Sequence, residues 1–155
     1  MSFQEKSVEN LRKQFKGIYT NVEQDMEGNI VSISLGDFAK DIWESIGEDG
    51  ILKGIDYNPC DSMGGSLSFY IASLSEDYFL RLWYSGKDQA YYFAFCKKLS
   101  GNLVHQIPDT FNADGIAKVA NLDQFVDYFL TFLAKEKYNL KHKLAYGKSK
   151  QPLLG

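Results

Sequence analysis

Cys60 and His105 are the residues whose types best suit covalent chemistry in this chain. A thiol becomes a nucleophile when a histidine takes its proton and an acid orients that histidine. Asp56 or Asp61, flanking Cys60, are the acids at hand. The surrounding loop, Asn58-Pro59-Cys60-Asp61-Ser62-Met63-Gly64-Gly65, is rich in turn formers and suits substrate access. Against this, Cys60 does not open a helix whose dipole would lower the thiol pKa, and no local catalytic signature surrounds it. His105 alternates with Val104 and Gln106 in a strand-like run, so a structural or surface histidine is the better reading.

Metal chemistry finds less support. The two histidines stand 37 positions apart and the two cysteines 36, which matches none of the short-spaced zinc patterns. The stretch from Thr110 to Asn121 places Asn112, Asp114 and Gly115 where a calcium loop would have them. Thr110 and Asn121 nevertheless occupy the two end positions where that loop needs its main anionic ligands, so the stretch reads as a turn followed by a helix cap. No cofactor is expected. Gly64-Gly65 precedes a strand and not a helix, so no helix N-terminus would meet a phosphate there.

The run Gln89-Ala90-Tyr91-Tyr92-Phe93-Ala94-Phe95 has the rings of an RNA-binding strand but lacks the basic residue and glycine that begin that motif. A core strand is the better reading. Paired carboxylates are equally hard to assign, because Glu48-Asp49, Glu76-Asp77 and Asp109 fall where turn chemistry explains them.

Charge is distributed unevenly. Lys135 to Lys150 carries six lysines against Glu136, a local +5, which leaves −8 on the rest of a chain whose net charge is −3. An acidic body disfavours duplex nucleic acid. Lysines at the end of a helix complement its dipole, which accounts for the basic cluster without a ligand. Aromatic residues make up 15% of the chain, with 11 Phe and 10 Tyr, enough for an aromatic core, an aromatic pocket or a binding face.

The elements that must hold these residues follow from periodicity. Ser2 and Glu5 fit a capping box ahead of Val8, Leu11, Phe15 and Ile18 at helical spacing. Ile18–Gln24 and Ile30–Leu35, joined through Gly28-Asn29, read as a hairpin, with a first helix continuing through residue 25 as the alternative. Asp37 is placed to cap a short helix carrying Phe38, Ile42 and Ile46, which Gly47 would end. A strand over Ile51–Tyr57 precedes four runs near 67–74, 78–85, 89–98 and 102–107, whose short connections force antiparallel neighbours. Tyr91, Phe93 and Phe95 fall on one face and Tyr92, Ala94 and Cys96 on the other, so a covering layer is expected on each. Asn121, with Gln124, opens a last helix whose stripe is Leu122, Phe125, Val126, Phe129, Leu130 and Leu133.

The expected fold is α+β: an antiparallel β-meander of about five to seven strands packed by an N-terminal helix, a short helix and a long C-terminal helix. Residues 1–146 are expected to form one domain and 147–155 a flexible tail. Two cysteines form no disulfide framework, the first residues lack a leader's apolar run, and no stretch is long and apolar enough for a membrane span, so a cytoplasmic protein is expected. The leading functional reading is a non-enzymatic interaction module, of the inhibitor, immunity-protein or chaperone kind, that binds a basic protein partner. Its candidate contacts are Glu48, Asp49, Glu76 and Asp77, with Trp83 and Tyr84 as anchors. The alternative is a small-molecule binding protein with an aromatic pocket, and the third is a cysteine-dependent enzyme using Cys60 and His105. Self-association stays open.

Overall fold

The structure, a computed structural model, describes Glu9, Leu11, Lys13 and residues 21–60, 64–100 and 103–154, with side chains up to Tyr138. The expected N-terminal helix lies outside these residues, apart from the first three, of which Leu11 is fully buried. In chain order the elements are β1 (Val22–Gln24), β2 (Ile30–Ile33), α1 (Leu35–Ile46), a 3-10 turn (Gly47–Asp49), β3 (Leu52–Asn58), β4 (Ser66–Ile71), β5 (Tyr78–Ser85), β6 (Ala90–Lys98), β7 (Val104–Gln106), β8 (Ile116–Val119) and α2 (Leu122–Leu154). This is the expected α+β class: a six-stranded antiparallel sheet, a separate two-stranded one, a short helix and a long C-terminal helix.

β1 and β2 pair as a hairpin. Its turn is organised by the Asp25 carboxylate, which accepts the backbone N–H groups of Glu27 and Asn29, each at 2.9 Å. Those backbone donors, Asn29 first, hold the Asp25 carboxyl below its usual range. The hairpin docks onto the main sheet through the Ile30 N–H, which donates to the Ala120 carbonyl at 2.9 Å.

The main sheet runs β3-β4-β5-β6, a meander in which each strand follows its neighbour in sequence. The far edge of β6 is shared. β7 pairs with its end, Cys96 opposite Gln106, and β8 with its start, Tyr91 opposite Val119. β8 corrects the expectation that 110–121 is only a turn and a cap. The Ile-Ala-Lys-Val run alternates inward and outward, but four residues between a turn and a cap give too short a period to read.

Side chains alternate across the sheet as the period of two requires. On the first face Leu67, Phe69, Leu80, Leu82, Tyr91 and Phe93 join the buried stripe of α2 and Phe38 and Ile42 of α1 in one core. Phe125 and Phe129, both fully buried, anchor the stripe. The Phe129 ring lies 4.7 Å from Phe69 and 5.2 Å from Phe125. The second face carries Phe79, Ala94 and Cys96 with Tyr70, Trp83, Val104 and Ile116, all from the sheet itself. A covering layer is expected there too, yet among the described residues no helix belongs to that cluster. Cationic side chains lie over the rings instead, with Lys98 5.0 Å from Tyr70 and Arg81 4.8 Å from Trp83. Their aliphatic stems shield apolar surface while the charged ends reach water.

Helix starts show the same logic. α1 opens at Leu35, two residues before the expected cap; Ser34 takes the cap position and its hydroxyl donates to Asp37 at 3.0 Å. Leu35 is buried, so core packing draws the helix start forward, and Asp37 keeps its dipole-favourable place in the first turn. α2 opens as expected at Asn121, whose side-chain oxygen accepts the Gln124 N–H at 2.9 Å. Gln124 reaches back one residue further than the usual box, accepting the Ala120 N–H at 2.9 Å. Among the described residues no helix is long and apolar enough to cross a membrane.

Candidate functional site

The sheet separates the residues proposed for nucleophilic chemistry. Cys60 follows β3 at one edge, where Asn58 pairs with Ser66 and Ser66 with Trp83. His105 lies in β7 at the other edge, opposite Lys97, which itself pairs with Tyr78 at the far end of β5. Four strand spacings alone put them about 19 Å apart. Cys60 is exposed, with its own N–H donated to the Asn58 side chain at 3.1 Å in an Asx turn. Cys96 is fully buried, and that burial pushes its thiol up to about 11, so it is inert at neutral pH. The described residues contain no group of histidine, cysteine and carboxylate side chains able to hold a metal.

Nor do the six proposed contact residues form one patch. Glu48 and Asp49 lie in the 3-10 turn after α1, where Asp49 pairs with Lys137 of α2 at 3.6 Å. Glu76 and Asp77 lie in the β4–β5 turn, six residues along the chain from Trp83, or about 20 Å by strand rise. Trp83 and Tyr84, adjacent on β5, face opposite ways. Trp83 stacks on Tyr92 at 5.9 Å on the second face, while Tyr84 turns into the core beside Tyr91 at 5.0 Å.

A different cluster does converge. Between β7 and β8 the chain leaves the edge of β6. The last ladder bond is Ile107 N–H to Phe95 carbonyl at 2.8 Å, and pairing resumes at Ile116 opposite Ala94. Asn112 braces this excursion, its carbonyl accepting the N–H groups of Asp109 at 2.9 Å and Gly115 at 3.1 Å. The Asn112 amide donates to the Ile116 carbonyl, and the Thr110 hydroxyl to that of Ile107 at 3.0 Å. Gly115 closes the base with φ +81, and a Cβ there would sit 2.8 Å from the Ile107 oxygen. Only glycine meets both demands.

The braced excursion holds Phe111 over the helix-facing side of the sheet, 5.0 Å from Phe93, 5.4 Å from Tyr128 and 6.1 Å from Phe132. Phe132 in turn lies 4.8 Å from Phe95. The result is an open groove of about 630 Å³ between the excursion and α2, ending at Leu74 in the β4–β5 connection. Two helical rows of α2 form its long wall: Asp127, Thr131 and Lys135, and beside them Tyr128, Phe132 and Glu136. Ten residues of helix, Asp127 to Glu136, make that wall about 14 Å long. Among the described residues, three carboxylates, Asp109, Asp127 and Glu136, and one ammonium, Lys135, line the groove. The buried Glu136 accepts the Ser73 hydroxyl at 2.6 Å, which ties α2 to the turn after β4.

This groove lies outside the sites expected from the sequence. Its signals were Tyr128 and Phe132 lying outside the stripe that packs the core, and Phe111, an aromatic residue inside a turn. No protein-family model, curated protein or solved structure matches this chain.

Proposed function

We propose that this chain is a non-enzymatic, cytoplasmic interaction protein, of the inhibitor, immunity-protein or chaperone kind, that binds a basic protein partner through the groove between the 107–115 excursion and α2. The groove itself carries the reading: rings of Phe95, Phe111, Tyr128 and Phe132 share one open channel with three carboxylates. Aromatic surface supplies contact area at low entropic cost, and the acids favour a cationic partner. The separation of Cys60 from His105 weighs against that pair as a thiol–histidine site. Two free thiols, one exposed, suit a reducing compartment.

A second reading has one observation in its favour. A volume of about 630 Å³ falls within the range of small-molecule sites, so the same groove is the place for a small aromatic ligand. Capture from native lysate by the wild type and by Phe111→Ala, with native mass spectrometry of the purified protein, separates the two. A basic protein held by the wild type and released by the variant supports the proposal. A copurifying small molecule lost in Phe111→Ala favours the second reading.

A further inference from the structure

We infer that the free edge of β3 is a second binding surface, which takes an extended, acidic segment of a partner polypeptide as an added strand and seats its apolar side chains against α1. This surface is separate from the groove beside α2. β3 bounds the main sheet on one side, and the 107–115 excursion lies beyond β6 on the other. Among the described residues β3 pairs with β4 and with no other strand. Every second residue of an edge strand directs its N–H and C=O away from the sheet, so the seven residues of β3 offer half a ladder about 20 Å long.

A charged residue commonly guards such an edge. Here the guard is turned inward, because Lys53 Nζ donates to the Leu74 carbonyl at 2.7 Å, in the connection after β4. Next to it, a Cβ on Gly54 would meet nothing within 4 Å. Glycine inside a strand leaves room for another backbone to approach closely. α1 makes a groove of this edge. A Cβ on Gly36 would lie 3.2 Å from the Tyr57 ring, so the helix starts beside the end of β3 and runs back toward its beginning. Ala39, Trp43 and Glu44 of α1 and Gly54 and Ile55 of β3 border about 390 Å³ between the two elements. Trp43 is 43% exposed there and gives the groove an aromatic wall.

An extended segment satisfies both sides of this groove at once: its backbone completes the β3 ladder and every second side chain meets the α1 wall. A helix would cover the wall and leave the ladder unpaired. Charge selects the segment further. Lys40 and Lys53 against Glu44 leave +1 in the lining of a chain whose net charge is −3. Asp56, opposite Ser68, faces the other side of the sheet from Ile55. An acidic segment therefore suits this edge, in contrast to the basic one that suits the carboxylates beside α2.

The test uses the full chain, labelled for amide resonances, and a pool of peptide amides, acetyl-Glu-X-Thr-X-Thr-X-Glu, with X drawn from Val, Ile, Leu and Phe. The pool is expected to move the resonances of Gly54, Ile55, Ala39 and Trp43 and to slow hydrogen exchange at alternate β3 amides. Two further pools carry methyl groups on backbone nitrogens, one at each X and the other at the residues between. Only alternate amides of an added strand face β3, so one methylated pool should bind about tenfold more weakly and the other like the parent. Exchanging Glu for Lys in the pool should weaken binding at low salt, and so should Trp43→Ala, a change at an exposed position. Equal binding of the two methylated pools overturns the inference, as does a preference for the lysine pool. Shifts confined to the groove beside α2, or absent from β3, overturn it too and leave the functional reading in place. A chain that sediments as a dimer with its β3 amides protected assigns the edge to a second copy and likewise overturns it.

Discussion

The phenolic oxygen of Tyr91 accepts the backbone N–H of Ile33 at 2.9 Å, joining the small hairpin to the main sheet across 58 positions of chain. Both residues are buried, so no water stands ready to replace that acceptor. Tyr91→Phe keeps the ring and strands the N–H. A loss of about 1–3 kcal/mol is expected, measured by urea unfolding with an unchanged slope. A loss below a few tenths would show that the hairpin docks through its apolar contacts alone.

The two thiols should differ sharply in reactivity. Exposed Cys60 should react with a disulfide reagent in the native protein, and buried Cys96 only on unfolding. Titration also has a direction. Burial raises the Cys96 thiol from 9.0 to about 11 and raises Tyr91 above its ordinary value of 10.0. A raised pKa means the folded state holds its proton more tightly, so this stability is fully present below the unfolded values and is lost as pH climbs through the folded ones. Stability should therefore fall between pH 9 and 11, with a thiol part of up to about 3 kcal/mol. Cys96→Ala should flatten that part of the alkaline profile, and an unchanged slope would assign the loss elsewhere.

Phe129 tests the core directly. It is fully buried, with rings of Phe69, Phe93 and Phe125 within 6.0 Å. Phe129→Ala leaves a cavity among aromatic neighbours that cannot collapse onto it, and should cost about 3–5 kcal/mol in thermal or denaturant unfolding. A cost under about 1 kcal/mol would mean that α2 does not close the core.

The sheet and the last helix were legible because their signals are long. Nine residues of β6 alternate without interruption, and the α2 stripe repeats over three turns from Leu122 to Leu133. Short or context-dependent features were not. β8 has four residues, and the start of α1 moved to Leu35 because that side chain found the core. The groove was illegible for another reason. It depends on Phe111 being folded back by Gly115 and Asn112 onto a helix face, a meeting between segments that no local period encodes. Turn composition marks Glu48, Asp49, Glu76 and Asp77 as exposed acids but does not encode which of them are neighbours.

Gly115 offers a way to disturb the groove without touching its lining. Gly115→Ala forces a Cβ to 2.8 Å from the Ile107 oxygen at a φ of +81, so the base of the excursion must open. A destabilisation of about 1–3 kcal/mol is expected, the usual cost of strained backbone. It should come with altered aromatic resonances for Phe111, Tyr128 and Phe132 and little change at the Phe69–Phe129 contact. Uniform shifts throughout the core would argue that the excursion is integral to the sheet.

Charge at the turns and charge in the groove should act on different rate constants. Glu48, Asp49, Glu76 and Asp77 are exposed, and they lie at the end of the sheet where β3 begins and β5 begins. Asp49 already faces Lys137 at 3.6 Å, a half-buried pair at the edge of the fold. Exposed acids of this kind attract a basic partner over a distance of about one Debye length and then contribute little once contact is made. Reversing all four to lysine should slow association roughly tenfold at low salt, an effect that fades as salt rises, with dissociation nearly unchanged. Groove acids work at contact. Asp109→Asn with Asp127→Asn should speed dissociation and leave most of the salt dependence of association in place. Surface plasmon resonance of both variants against the captured partner, at two salt concentrations, reads the two constants separately. If reversal of the turn acids accelerates dissociation while the groove variant binds as the wild type does, the partner sits on the Glu48–Asp77 end of the sheet and the groove is not its contact.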